Sequence, residues 1–257
     1  SVYKIPENES YANINSHGFR GVEITKDKPA DVIRIFAVGG STTFSGGLED
    51  EFTWPFQLEK NINELNPKSK VEIINAGISA ATSLSNSKLI EQKLIQFQPD
   101  MIIMYEGVND QGCLMPPFHN KNTKMTEELF IQKCGIYALQ DYPKYLSERY
   151  SNICNFAKQN DFDIIVIFQP TLNLDDKVLT TQELDAYFNR SQQSILLEDY
   201  DTMVSNTIQG IQGCYATADL RQLFTSYNIP IYLDKHHLGS VGNEILAKNI
   251  QNIIMPW

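Results

Sequence analysis

Four short runs of apolar residues, each followed by a segment with a helical pattern, constrain the fold of this chain most strongly. The runs cover residues 33–38, 71–76, 101–105 and 162–168. Short runs of this kind, rich in Ile and Val, are typical of strands that are buried on both faces, as in a parallel sheet. Their alternation with helices predicts an α/β fold in which helices cover both faces of a central parallel sheet.

The segments around these runs carry the spacing of amphipathic helices. Apolar residues three or four positions apart predict helices over residues 54–65, 84–97, 142–160, 181–208 and 240–254. A fifth strand is predicted over residues 214–220, and proline and glycine predict loops over residues 111–124 and 171–180. Because binding residues are often carried on loops, we expect these two loops to decide which substrate fits.

The first thirty residues differ from the rest of the chain. They are polar and irregular, with the Asn, Ser and Gly that are typical of turns. The remaining residues contain no linker, repeat or low-complexity segment. We therefore predict a single α/β domain over residues 31–257, with residues 1–30 as an irregular lead-in packed on it. Within the lead-in, Phe19 is expected to anchor the segment. Arg20 is able to pair with a carboxylate, but a solvated side chain is the favoured expectation.

Composition excludes two classes of partner. The chain has 257 residues, with 21 Lys and Arg against 31 Asp and Glu, for a formal net charge of −10. A protein this acidic has little electrostatic attraction for a phosphate backbone, so no nucleic-acid partner is predicted. No run approaches the roughly 18 consecutive apolar residues that a membrane-spanning helix needs, so no membrane span is predicted in this chain.

The four cysteines do not form a metal or redox motif, since none of them belongs to a Cys-x-x-Cys pair. Cys113 and Cys134 flank a loop-like segment and are the expected pair if a disulfide forms, whereas Cys154 is expected to be a buried thiol. Residues 1–20 lack the apolar core of a signal peptide. The sequence leaves open whether the protein is extracytoplasmic, anchored through a segment missing from this chain, or cytoplasmic.

Polar residues of distinct chemical types stand at the ends of the predicted strands and before the last helix. Ser41 follows the first strand, Gly77 the second and Asn109 the third, while Asp234 and His237 lie three positions apart on a predicted helical turn. Ligands bind at the carboxyl ends of parallel strands. A serine needs a base such as histidine, which a carboxylate orients, and the oxyanion that forms needs N–H donors. The set therefore predicts an acyl-transfer site.

Each residue of this set also has an ordinary structural interpretation. Gly77 is typical of a strand end, Asn109 of a turn, and Asp234 of a helix N-cap. His236 and His237 together are typical of surface residues or of half of a metal site, although the chain has only four histidines. Each of these alternatives is stronger for its residue taken alone. The ordered occurrence of all of them at successive strand ends favours the catalytic interpretation.

With these residues in place, the chain resembles the SGNH (GDSL-type) hydrolases. The matching segments are Gly-Gly-Ser-Thr at 39–42, Asn-Ala-Gly at 75–77, Gly-Val-Asn-Asp at 107–110 and Asp-Lys-His-His-Leu at 234–238. The resemblance implies a three-layer α/β/α sandwich of flavodoxin-like topology. It implies Ser41 as nucleophile, His237 as base and Asp234 as its partner, with an oxyanion hole formed by the Ser41 and Gly77 N–H groups and the Asn109 amide. It implies no metal and no organic cofactor.

The chain departs from the family pattern at Gly40, where the family often has Asp. Its lead-in, residues 15–21, looks like a segment of bacterial members associated with surface polysaccharides. The resemblance thus implies a serine esterase that acts on a small acyl ester, such as an O-acetyl group on a carbohydrate. Two alternatives stay open: an O-acyltransferase with the same triad, and a carbohydrate-binding protein that keeps the fold without turnover.

Overall fold

The computed structural model describes residues 2–4, 11–68, 70–114, 126–135, 142–172, 177–189 and 197–255. A short antiparallel pair comes first in the chain, formed by β1 (Val2–Lys4) and β2 (Tyr11–Asn13). Five parallel strands then form the central sheet: β3 (Val32–Gly39), β4 (Lys70–Asn75), β5 (Met101–Glu106), β6 (Asp163–Phe168) and β7 (Ala216–Asp219). Their order across the sheet is β4-β3-β5-β6-β7, which is the flavodoxin-like arrangement.

Helices connect these strands. They are α1 (Ser41–Phe44), α2 (Trp54–Leu65), α3 (Ser83–Gln92), α4 (Val108–Gln111), α5 (Glu127–Cys134), α6 (Tyr142–Gln159), α7 (Thr181–Asn189), α8 (Leu197–Gly210) and α9 (Ser240–Ile254). Two 3₁₀ turns add Asp50–Phe52 and Leu94–Phe97. Among the described residues, no helix combines the length and the apolar character needed to cross a membrane.

Alternate residues of β3 enter two separate hydrophobic cores. Phe36 and Val38 join the core beneath α3, α6 and α8, whereas Ile35 and Ala37 join the core beneath α2 and α9. This alternation follows from the two-residue period of a strand. Helices therefore cover both faces of the sheet, and the predicted three-layer α/β/α sandwich is confirmed.

Most predicted elements occur close to their predicted bounds, and two helices differ. The helix predicted over 84–97 ends as α3 at Gln92, because Lys93 leaves the helical conformation at φ −126° before the 3₁₀ turn. The helix predicted over 181–208 is described as α7 and α8, and residues 190–196 between them lie outside the described residues. Much of both predicted loops, 115–125 and 173–176, also lies outside them.

Of the two expectations about single residues in the lead-in, one needs correction. Phe19 is buried in the core as expected, but Arg20 is only 4% exposed. Its guanidinium lies 2.7 Å from the Asp50 carboxylate, so the prediction of a solvated Arg20 is wrong. A carboxylate partner and several backbone carbonyls supply the hydrogen bonds that burial takes away from water.

The four cysteines form two disulfides. Cys113 pairs with Cys134, which confirms the expected pair. Cys154 is buried but pairs with Cys214, so the expectation of a buried free thiol is wrong. Because these two cysteines lie 60 positions apart, only the packing of α6 beside the segment before β7 brings them together.

Candidate active site

Ser41 lies at the carboxyl edge of the sheet. It is the first residue of α1, a four-residue helix that starts one residue after the end of β3. The helix is closed by hydrogen bonds from Phe44 N to Gly40 O (3.0 Å) and from Ser45 N to Ser41 O (2.7 Å). Because the first N–H groups of a helix have no partner within it, the Ser41 N–H is oriented to serve an external acceptor.

Asp234 and His237 lie in a tight loop that precedes α9. One Asp234 carboxylate oxygen accepts hydrogen bonds from the backbone N–H groups of His236 (3.0 Å) and His237 (2.9 Å). Gly239 N in turn donates to Ile231 O at 2.8 Å, so the chain doubles back on itself before the helix begins at Ser240. The prediction that Asp234 and His237 share a helical turn is therefore wrong. An Asp side chain that bonds the backbone two and three residues ahead replaces the helical hydrogen bonds at this point.

This loop brings His237 against Ser41, 196 positions away in the chain. The His237 Nε2 atom lies 2.8 Å from Ser41 Oγ, and the His237 Nδ1 atom lies 2.8 Å from the second carboxylate oxygen of Asp234. The side chains of His237 and Asp234 are 26% and 20% exposed. The three side chains thus form one continuous hydrogen-bonded row that solvent reaches from one side.

The state of Asp234 decides the roles of the two His237 nitrogens. Burial alone would raise the pKa of Asp234, but hydrogen bonding and charge from His237, together with the two backbone N–H groups, outweigh it and lower the pKa. An ionised Asp234 can only accept, so Nδ1 of His237 carries the proton. Nε2 is then the lone-pair nitrogen that can accept the Ser41 hydroxyl proton.

His236 lies beside His237, with ring centroids 4.5 Å apart, but it is in a different state. Burial, followed by the charge of His237, lowers the pKa of His236 to about 4. Its Nδ1 atom is buried and has no hydrogen-bond partner among the described residues. His236 is therefore neutral near pH 7 and lies outside the hydrogen-bonded row.

The loop also contains the described residues best able to hold a metal ion. Ligand atoms of Asp234, His236 and His237 all lie within 4.8 Å of one another. A cation bound by all three would take a carboxylate oxygen of Asp234 and a ring nitrogen of His237, two residues that also belong to the hydrogen-bonded row. The metal interpretation and the serine interpretation thus draw on the same side chains.

Asn109 lies at the start of α4, where its side chain faces Gly40, the residue before Ser41. Its amide donates to Ala81 O at 2.8 Å, which leaves a second N–H for another acceptor. A Cβ atom on Gly40 would overlap the Asn109 amide nitrogen. In this chain the Asn109 amide therefore occupies the space that a side chain at position 40 would need.

Gly77 lies directly against α1. A Cβ atom there would collide with the backbone of Thr43 and Phe44, so only glycine allows this approach. The Gly77 N–H donates to Asn75 Oδ1 at 3.0 Å. An oxyanion would have to share that hydrogen with Asn75 or displace it, whereas the Ser41 N–H and the second Asn109 N–H carry no such cost.

The sequence analysis missed Gln169. This residue follows β6, and its side-chain oxygen accepts a hydrogen bond from Thr42 Oγ1 at 3.0 Å. Its neighbour Leu172 donates to Lys235 O at 2.8 Å, so the segment after β6 also contacts the loop of Asp234. A polar residue within a few positions of the end of an apolar strand is the same signal that singled out Ser41 and Asn109.

Comparisons with known proteins bear on the fold. No family model and no curated protein sequence matches the chain. Solved structures do match. An acetyl xylan esterase, AlAXEase, matches with a TM-score of 0.55 and 15% identity over 86% of this chain and 100% of that chain, and TesA matches with a TM-score of 0.55 and 15% identity over 87% and 98%. A catalytic mutant of Axe2, an acetylxylan esterase from Geobacillus stearothermophilus, matches with a TM-score of 0.58 and 16% identity over 86% of this chain and 93% of that chain. The chain therefore shares the α/β fold of these proteins.

Proposed function

We propose that this chain is a serine esterase of the SGNH type. Ser41 attacks the carbonyl carbon of a small acyl ester, while His237 takes the serine proton through Nε2. The alcohol leaves with a proton returned from His237, and Ser41 keeps the acyl group. A water molecule then gives its proton to His237 and attacks the acyl-enzyme, which releases the acid and restores the serine.

The hydrogen-bonded row from Ser41 through His237 to Asp234 is the single observation that carries this proposal. Both links are 2.8 Å between heavy atoms, which is within the reach needed for proton transfer. The oxyanion would be stabilised by the Ser41 N–H and the Asn109 amide, with a contribution from the Gly77 N–H.

An O-acetyl group on a carbohydrate is the proposed substrate class. Two observations support it: the fold is shared with proteins described as acetyl xylan esterases, and the lead-in resembles that of polysaccharide-associated family members. Transfer of the acyl group to a sugar instead of water would use the same three side chains. Assays with acetylated xylan therefore include free sugars as acceptors, and acylated sugar products would indicate a transferase.

Labelling with a fluorophosphonate, followed by intact-mass measurement, tests the mechanism. We expect a single adduct on the wild type and none on Ser41→Ala. An adduct on both proteins, or on neither, would contradict the proposed nucleophile. The absence of any adduct, combined with tight binding of acetylated sugars, would favour a carbohydrate-binding protein without turnover.

The two adjacent histidines provide a matched pair of variants. We expect His237→Gln to lower kcat for p-nitrophenyl acetate by at least about 10⁴-fold, because loss of the base removes proton transfer. His236→Gln should stay within a few-fold of the wild type, since His236 lies outside the hydrogen-bonded row. Activity that survives chelation of metal ions is also expected. Equal losses in the two variants, together with loss on chelation, would favour the metal interpretation.

A further inference from the structure

The lead-in segment around Arg20 is a closed turn with a defined shape. The Asn15 side chain accepts hydrogen bonds from the backbone N–H groups of His17 and Phe19, both at 3.0 Å. Asn15 N donates to Phe19 O at 2.8 Å, and Gly18 takes the positive φ (83°) that the turn requires. Phe19 is buried in the core, so the neighbouring Arg20 has a fixed direction.

The guanidinium of Arg20 binds the end of α1 and the segment that follows it. Its Nε atom donates to Asp50 Oδ1 at 2.7 Å, and Nη1 donates to the carbonyls of Phe44 (2.5 Å) and Ser45 (2.9 Å). Nη2 donates to Leu48 O at 2.5 Å. Carbonyls at a helix C-terminus have no partners within the helix, and a planar fork of donors is suited to hold several of them.

Asn75 adds to the contacts that Arg20 makes with α1. Arg20 N donates to Asn75 O at 2.9 Å, and the Asn75 side chain donates to Thr43 O at 2.8 Å. Arg20 and Asn75 thus bind the carbonyls of three consecutive residues, 43–45, at the end of α1. A helix of one turn is not stable alone, so these contacts decide where it lies.

We propose that Arg20 is a positioning residue for the nucleophile. By holding the C-terminal end of α1, it keeps the Ser41 hydroxyl at the 2.8 Å distance from His237 Nε2 that proton transfer needs. Among the described residues, the side-chain hydrogen bonds of Arg20 go to Asp50 and to the carbonyls of residues 44, 45 and 48, and none goes to Ser41. This inference rests on the proposed serine mechanism and adds to it the role of the lead-in segment.

Arg20→Lys tests the inference. A lysine keeps the charge opposite Asp50 but cannot hold the carbonyls of Phe44, Ser45 and Leu48 together. Since a misplacement of about 1 Å can cost about 100-fold in rate, we expect kcat for p-nitrophenyl acetate and the rate of fluorophosphonate labelling to fall about 10- to 100-fold. KM should stay close to the wild-type value, because no substrate contact is removed.

Arg34→Lys is the matched control. Arg34 is also fully buried, and it binds Glu72 at 3.0 Å and Phe97 O at 2.9 Å. It lies near the start of β3, at the opposite end of the strand from Ser41. We expect a loss of thermal stability comparable to that of Arg20→Lys, with an unchanged labelling rate per folded molecule.

The outcomes separate this inference from the proposed function. If the wild type forms no phosphonate adduct, the result contradicts the proposed function itself. A labelled wild type with an equal labelling rate in Arg20→Lys, or an equal rate loss in Arg34→Lys, would overturn only the role of Arg20. If Arg20→Lys does not fold, Asp50→Asn decides. The Asp50 carboxylate accepts from Nε and orients the guanidinium toward the carbonyls of residues 44, 45 and 48, so a neutral residue at this partly exposed position is expected to lower the labelling rate. A labelling rate equal to that of the wild type would overturn the inference.

Discussion

At the scale of single residues, a substitution at Gly40 is expected to affect activity much more than stability. The atom that a Cβ at Gly40 would meet first is the end of the Asn109 side chain, which can move at little cost to the fold. Gly40 has φ −85° and ψ −152°, an extended conformation that alanine also adopts. In the proposed mechanism the Asn109 amide stabilises the oxyanion, so a displaced amide is expected to slow the chemistry more than it weakens the fold.

We therefore expect Gly40→Ala to fold with nearly the stability of the wild type but to lose up to about 10²- to 10³-fold in kcat, the usual cost of losing one oxyanion donor. Asn109→Ala serves as the comparison, and the double variant should be no slower than Asn109→Ala. Additive losses would show that the glycine acts by another route. Parallel measurements of kcat and of the unfolding midpoint check both parts.

His236 gives the stability a defined pH dependence. Its pKa is about 4 in the folded protein against an ordinary value of 6.5. Below about pH 6.5 the unfolded chain therefore binds a proton at His236 that the folded chain does not bind. The free energy of unfolding falls as the pH is lowered, until about pH 4. The lowered pKa of Asp234 acts in the same direction at more acidic pH. His236→Gln should flatten the loss of unfolding free energy between pH 6.5 and 4 in denaturant titrations, and an unchanged slope would contradict this origin.

At the scale of elements, the candidate site residues Ser41 and Asn109 lie on short helices, and contacts from other elements fix the positions of those helices. Asn109 lies on α4, which has only four residues. The next residue, Asp110, is fully buried and accepts hydrogen bonds from Ser83 N (3.0 Å), Ser83 Oγ (2.7 Å) and Tyr142 OH (2.9 Å). The start of α3 and the start of α6 are thereby tied to α4, much as Arg20 and Asn75 are tied to α1. Each short helix is positioned from outside, because one turn cannot position itself.

At the scale of the whole molecule, two disulfides join elements that are distant in sequence. Disulfides of this kind persist in oxidising compartments, which fits the extracytoplasmic location among those that the sequence leaves open. One disulfide joins the end of α4 to α5, beside the site, and the other joins α6 to the segment before β7. Their closed loops span 21 and 60 positions.

The two disulfides should therefore differ in what they contribute. Chain-entropy estimates give about 3 kcal/mol for the shorter loop and about 4 kcal/mol for the longer one. We expect Cys154→Ala/Cys214→Ala to lose more unfolding free energy and to keep its kcat. Cys113→Ala/Cys134→Ala should lose less stability but should lower kcat, because it frees the segment that directly follows α4, the short helix on which Asn109 lies. Activity losses in the opposite order would contradict this division.

The fold class and the choice of Ser41 and Asn109 as candidate site residues were accessible from the sequence, because both follow from local patterns. Apolar runs such as 101–105 and the spacing of apolar residues in 240–254 report which face of an element is buried, and parallel strands bring their carboxyl ends to one edge whatever the loops do. Serine and asparagine placed directly after such strands could therefore be expected to lie near each other.

Other features were decided by tertiary structure alone. The burial of Arg20, the pairing of Cys154 with Cys214 and the contact of Gly40 with the Asn109 amide each depend on segments far apart in the chain. The loop at Asp234 also differs from its local pattern, because its carboxylate binds the following backbone and His237 instead of starting a helix. Sequence patterns report which surfaces a residue prefers, whereas the partner that satisfies a buried charge or hydrogen bond depends on which distant segment packs beside it.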